Sequence, residues 1–267
     1  MNLKRNILIV VDPRADENTT IDRVVNLKNS YPENYNPTVT LLFIVDPHDK
    51  NTKADNPAIH RDESFLHTIG TPLRSVGIEP ALRFSWSSDW AESILVNVEA
   101  VGADVCMVSH PGEQPQKAFS EGFWYLIRHS HVPIGVILKR GEPMRQNILM
   151  AMDIQDTKIS DLNKRILEVG RITAEAYGAQ LHLANAYGDS SSYPDRSAII
   201  KATGLPNENI HLLAGEPDTA LAELTKELMP DLVLIGATRR TGVKAALRGR
   251  KILRILHTIK HDIFVVT

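Results

Sequence analysis

The sequence predicts an α/β protein with parallel sheets, and two observations lead to this prediction. Short apolar runs recur along the chain, separated by segments in which apolar residues have helical spacing. Strands that alternate with helices form parallel sheets with right-handed crossovers. In addition, the pattern of the first half recurs in the second: residues 147–153 repeat the Asn-Ile-Leu start and the Asp end of residues 6–12. We therefore expect two tandem domains of one fold, residues 1–141 and 145–267.

Five segments of the first half are expected to be strands, since short apolar runs are typical of strands buried on both faces. These strands are predicted at 6–12, 39–45, 81–86, 105–108 and 134–138. The spacing of apolar residues predicts helices at 21–27, 65–76, 90–101 and 123–129. Residues 47–62 are polar and contain prolines, which indicates an exposed connection.

The second half gives four matching strands, and a short polar linker at 140–144 joins the halves. The four strands are predicted at 147–153, 181–187, 232–235 and 263–266. Apolar residues between 243 and 259 have the spacing of a helix that precedes the last strand.

Composition excludes several classes of protein. The 267 residues carry a net charge of −2, with 43% hydrophobic and 23% charged residues, which is typical of a globular protein and not of a polycation that binds nucleic acid or membranes. The single cysteine, Cys106, excludes an intramolecular disulfide, and its apolar strand predicts a buried, inert side chain. No apolar run approaches the roughly 18–20 residues of a membrane helix. Residues 1–6 lead directly into a strand and indicate no signal peptide, so we expect a cytoplasmic protein.

The strand at 232–235 ends at Gly236, where a functional site is expected. Ligands of open α/β sheets bind at the carboxyl ends of the strands, and a glycine there lets the backbone approach a ligand closely. The segment that follows is basic up to residue 254 and contains no acidic residue. Its cations are Arg239, Arg240, Lys244, Arg248, Arg250, Lys251 and Arg254.

The spacing of Gly236 and Gly249 resembles the nucleotide loop of the universal stress protein family, in which Gly-x-x-Gly is followed by nine residues and then by glycine and a small polar residue. Here Arg239 replaces the middle glycine, and Arg250 replaces the small polar residue. The repeat over the whole chain resembles the tandem members of that family. The resemblance implies that each domain is a five-stranded, mainly parallel sheet flanked by helices. It also implies an intrachain pseudo-dimer through the last strands, with further homodimerisation left open.

The resemblance implies nucleotide-binding or anion-binding residues in both halves. In the second half they are Asp153, Ala186, Gly236, Arg239, Gly242, Gly249 and Arg250. In the first half they are Asp12, Ile44, Gly112 and Gly122. The first half departs further from the family pattern, because Ser109 replaces the first glycine and Phe123 stands where a phosphate-binding hydroxyl is expected. For the two aspartates, the alternative is that they cap the turn that follows the strand.

Three functions remain open at this point. The leading interpretation is a stress-response scaffold or sensor that acts by binding, with degenerate nucleotide sites and unknown protein partners. The alternative is an ATP-binding or ADP-binding protein with slow ATP hydrolysis in the second half. The third is a phosphorylated or acidic ligand of the basic segment, such as a phosphorylated metabolite or a nucleic acid, because arginines can clamp phosphates directly. The acidic balance of the rest of the chain disfavours broad binding of duplex nucleic acid. We expect no catalytic residues of the known motifs and no metal site.

Overall fold

A computed structural model of the protein describes residues 5–11, 18–31, 33, 35–46, 63–109, 121–138, 145–155, 160–188, 190–237, 255–256, 258–259 and 261–267. The chain divides into two compact units, Met1–Lys139 (unit 1) and Arg140–Thr267 (unit 2).

Unit 1 contains five parallel strands, in the sheet order β3-β2-β1-β4-β5. The strands are β1 (Asn6–Val11), β2 (Thr38–Val45), β3 (Ala81–Trp86), β4 (Val105–Ser109) and β5 (Ile134–Ile137). The described helices are α1 (Thr19–Ser30), α2 (Glu63–Ser75), α3 (Trp90–Val101) and α4 (Glu121–His129). The central strands are buried on both faces, as their apolar runs predicted.

Unit 2 contains the equivalent sheet, with the order β10-β9-β6-β7-β8 and parallel pairing. Its strands are β6 (Asn147–Ala151), β7 (Gln180–Tyr187), β8 (Ile210–Ala214), β9 (Leu232–Gly236) and β10 (Asp262–Val266). Its described helices are α5 (Ser160–Tyr177), α6 (Arg196–Thr203) and α7 (Pro217–Leu228), with short 3₁₀ turns at Ser190–Ser192 and Asn207–Asn209. The predicted α/β class with parallel sheets is therefore confirmed.

The same side-chain contact fixes the amino end of the sheet in both units. In unit 1, Asp104 Oδ2 accepts a hydrogen bond of 2.7 Å from the backbone N–H of Asn6. In unit 2, Asp231 Oδ2 accepts one of 2.8 Å from the backbone N–H of Asn147. Each aspartate precedes a central strand and satisfies a backbone donor at the start of the neighbouring strand, which would otherwise have no partner in the ladder.

Polar caps start three of the helices at the positions where the sequence turns from loop to helix. Asn18 Oδ1 accepts hydrogen bonds from the backbone N–H groups of Thr20 and Ile21 at the start of α1. Asp89 and Asp195 cap α3 and α6 in the same way. Such caps satisfy helix donors that have no partner within the helix.

Several elements of unit 2 differ from what the sequence indicated. Strand β8 and helices α5 to α7 were not assigned from the sequence. In strand β8 the polar His211 interrupts the apolar run, and Leu212 and Leu213 after it are only partly buried. The helix predicted within 243–259 falls largely outside the described residues.

Candidate functional site at the strand ends

The segment that follows β6 holds Asp153 at the carboxyl end of the unit 2 sheet. Ala151 on β6 pairs with Ala184 on β7, and the N–H of Met152 still donates to the carbonyl of Ala184, at 2.9 Å. Asn163 on α5 donates through Nδ2 to the backbone carbonyl of Asp153, at 2.7 Å. The Asp153 side chain is exposed beyond the strand. A carboxylate at this end of an open α/β sheet is at the place where ligands of such folds bind.

A buried amide that the sequence analysis missed fixes this segment. Asn185 on β7 is fully buried; its Oδ1 accepts a hydrogen bond of 2.8 Å from the N–H of Ile154, and its Nδ2 donates to the carbonyl of Ala186, at 3.1 Å. A buried amide needs such partners, since an unsatisfied polar group in the interior is costly. The available signal was a polar residue inside an apolar strand: the equivalent position in unit 1 is Phe43, which is buried without any such polar role.

Ala186 and Gly236 lie near the carboxyl ends of β7 and β9, the two strands that flank β6 in unit 2. Ala186 is half-buried on β7, and Gly236 is the last residue of β9, paired with Val266. A Cβ on Gly236 would lie 2.8 Å from Leu162 Cδ2 and 2.9 Å from Ile166 Cδ1, both on α5. The glycine therefore allows α5 to pack closely on the end of β9, a role in packing that the sequence analysis did not foresee.

At the equivalent strand ends of unit 1, described residues make contacts within the unit. Ser109, which stands where unit 2 has Gly236, forms a 3.0 Å hydrogen bond between its hydroxyl and that of the buried Thr20 on α1. Ile44 is half-buried on β2. A Cβ on Gly122 would lie 3.0 Å from two atoms of the Trp90 indole, and the adjacent Phe123 is buried in the core. The structure thus gives Ser109, Gly122 and Phe123 internal packing partners.

Six of the predicted site residues lie outside the described residues, and their predicted roles stay predictions. They are Asp12, Gly112, Arg239, Gly242, Gly249 and Arg250. Of the described site residues, Asp153, Ala186 and Gly236 lie at the carboxyl end of the unit 2 sheet. They lie on or directly after β6, β7 and β9, which are consecutive in that sheet.

The chemistry of other groups follows from their burial. Burial raises the pKa of the Cys106 thiol to about 12, so this cysteine stays a neutral thiol at physiological pH and behaves as a small apolar residue, as predicted. Within the ranges that the structure describes, no three metal-ligating side chains come together. Nor does any helix in those ranges combine the length and the apolar character needed to cross a bilayer.

The comparisons with known proteins agree with this architecture. Residues 198–267, at the carboxyl-terminal side of unit 2, match the universal stress protein family. Universal stress protein E of Escherichia coli (strain K12) is 20% identical over 300 aligned positions, which cover all of this chain and 95% of that protein. The universal stress protein E homolog of Haemophilus influenzae is 22% identical over 282 positions, covering 92% of this chain and 91% of the relative.

A solved structure supports the fold. The universal stress protein of Archaeoglobus fulgidus DSM 4304 superposes with a TM-score of 0.75 at 15% identity, covering 97% of this chain and 96% of that chain. The family match and the two relatives confirm the resemblance that was predicted from the glycine spacing and the repeated pattern. Residues 198–267 match the universal stress protein family, and the chain is similar over its whole length to universal stress protein E.

Proposed function

We propose that this protein acts by binding, as a stress-response scaffold or sensor, and that unit 2 holds its site for a nucleotide or another phosphorylated ligand. The observation that carries the proposal is the buried Asn185, which bonds both the segment after β6 and the backbone of Ala186. A rigid support of this kind pre-organises a binding site and so lowers the entropic cost of binding. The cytoplasmic location, the domain bounds 1–141 and 145–267 and the intrachain pseudo-dimer stay predictions of the sequence.

Three groups would share the work of binding in unit 2. The Asp153 carboxylate would accept hydrogen bonds from the sugar hydroxyls of a nucleotide, and the small Ala186 leaves room for a base or another flat group at the end of β7. The basic segment that follows Gly236 would supply positive charge for the phosphates. Unit 1 is proposed to be structural at the equivalent place, because the hydroxyls of Ser109 and Thr20 bond each other there.

Calorimetric titration of the full chain with ATP, ADP and AMP in the presence of magnesium tests the proposal. The wild type should bind one of these ligands with a stoichiometry near one. Asp153→Ala should weaken that binding at least about tenfold, because hydrogen bonds to a charged group contribute about 1.5–3 kcal/mol each. Glu175→Gln is the matched control, since Glu175 is an exposed carboxylate at the far end of α5. No saturable binding by the wild type, or equal affinity of Asp153→Ala, would contradict the proposal.

The same titration separates the two interpretations of the arginines. If Arg239 and Arg250 clamp the phosphates, Arg239→Gly with Arg250→Ser should weaken binding at least about tenfold, through the loss of charge-assisted hydrogen bonds. If they block a nucleotide loop, the same change should strengthen ATP binding, because glycine lets the loop backbone approach the phosphates. Slow ATP hydrolysis stays the alternative, and release of inorganic phosphate by the wild type would be its sign.

A further inference from the structure

Two histidines on neighbouring strands of unit 2 contact each other away from the proposed ligand site. His182 lies on β7 and His211 on β8, and the stacked rings have centroids 5.4 Å apart. His182 Nδ1 lies 3.2 Å from His211 Nε2, which is hydrogen-bond distance. His182 is 6% exposed, and within the described part of the chain its Nε2 atom is buried without a hydrogen-bond partner. We call His182 and His211 the histidine pair.

The contact selects one arrangement of protons when both rings are neutral. A hydrogen bond between Nδ1 of His182 and Nε2 of His211 needs one proton between the two atoms. If His182 donates, its Nε2 carries only a lone pair. If His211 donates, the proton of His182 must instead sit on Nε2, as a buried N–H without an acceptor. Because orphaned buried donors are rare and costly, the neutral pair has the proton on His182 Nδ1.

A further proton cannot be added to the bonded pair without placing an N–H at the buried Nε2 of His182. A proton added to His182 must go to its buried Nε2. A proton added to His211 Nε2 faces the N–H of His182 Nδ1, so that the His182 proton has to move to Nε2. In either case the bonded pair acquires a buried N–H with no acceptor together with a positive charge, a combination that the interior disfavours.

The surrounding charges act in the same direction. Burial lowers the pKa of His182, and the charge on His211 lowers it further. Burial also lowers the pKa of His211; Arg196, at the start of α6, adds to this, whereas Glu227 on α7 acts in the opposite direction. A pKa that is lower in the folded state gives a contribution to stability that is present above the unfolded value of about 6.5. That contribution is lost as the pH falls from there towards the folded value.

We propose that the histidine pair is an acid-sensitive device that joins β8 to β7 while both rings are neutral and weakens that junction in mild acid. Among the described strands, β8 is the outermost of unit 2 and pairs only with β7, from Leu183–Ile210 to Tyr187–Ala214. An outer strand opens more easily than a central one, because fewer neighbours hold it. Protonation of the pair therefore frees β8 before the rest of the sheet opens.

Amide hydrogen exchange of the full chain at pH 7.5 and pH 5.5, corrected for the intrinsic rates, tests this proposal. The amides of residues 210–214 should lose protection on the order of tenfold at the lower pH. The variant His182→Asn with His211→Gln places amide groups near the two bonded nitrogens and cannot take up a proton, so its protection should change less than about twofold. His67→Gln, at an exposed histidine on α2, is the control and should behave as the wild type does.

Either of two exchange results would overturn the proposal. The first is wild-type protection in β8 that is the same at both pH values, and the second is an equal loss of protection in the double variant. Burial also lowers the pKa of His261, which hydrogen-bonds the backbone of Thr225 on α7. The double variant keeps His261, so a loss of protection caused by His261 would appear in that variant as well. Nitrogen NMR of the imidazoles of the wild type covers the case in which the variant does not fold. It should show a protonated Nδ1 and a bare Nε2 on His182 at neutral pH, and a protonated Nε2 there would equally count against the proposal.

Discussion

At the scale of the residue, Gly236 has a role in packing besides the binding role that we propose for it. The sequence analysis selected it as a place where the backbone approaches a phosphate. The structure adds that Leu162 and Ile166 on α5 occupy the space that a side chain would need. Ser109, at the equivalent position of unit 1, instead turns its hydroxyl to Thr20. Unit 1 therefore has a hydrogen bond between the end of β4 and α1 where unit 2 has close packing of α5 on the end of β9.

Gly236→Ala should destabilise unit 2 by about 1–3 kcal/mol, since an added methyl group would force side chains of α5 to move in a packed interior. The measurement is urea unfolding followed by far-UV circular dichroism. Gly188→Ala is the matched control, because a Cβ there meets no atom within 4 Å, and it should change stability by less than about 0.5 kcal/mol. Equal effects of the two substitutions would mean that the contact with α5 does not restrict this position.

At the scale of the element, a buried ion pair ties the amino ends of three strands of unit 2. Arg145, just before β6, lies 2.6 Å from Asp262 Oδ2, at the start of β10, and both side chains are almost completely buried. The same guanidinium donates to the backbone carbonyl of Asp231, just before β9. The strands themselves could be predicted from their apolar runs. This pair could not, because its partners are 117 positions apart in the sequence and neither lies in a recognisable motif.

Arg145→Met should destabilise the protein by about 3–5 kcal/mol, because it leaves the Asp262 carboxylate buried without its main counter-charge. Arg74→Met offers a comparison of the same chemistry at the surface, where Arg74 and Glu79 form a pair at 2.9 Å. That substitution should cost less than about 1 kcal/mol. Urea unfolding at pH 7.5 measures both, and a loss for Arg145→Met no larger than that for Arg74→Met would contradict the importance of the buried pair.

At the scale of the whole molecule, two units share one sheet order but differ at the carboxyl ends of their strands. Apolar runs, the repeated Asn-Ile-Leu and Asp, and the spacing of Gly236 and Gly249 were sufficient to predict the fold and the family. The site was predicted less completely. Asp153, Ala186 and Gly236 were selected from the sequence, and the structure places them at the carboxyl ends of adjacent strands. The support from Asn185 could not be predicted, because it depends on a contact across two strands and a polar residue in a strand does not by itself reveal its partner.

The central claim is that ligand binding belongs to unit 2, and hydrogen exchange of the full chain with and without ATP and magnesium tests it most directly. ATP should increase protection of the amides at 152–155, 185–187 and 235–237, because they lie at the strand ends around Asp153. The amides at 107–109, at the end of β4, should not change, because the Ser109 and Thr20 hydroxyls already bond each other there. Protection of the strand ends of unit 1, or no change at those of unit 2, would contradict the account.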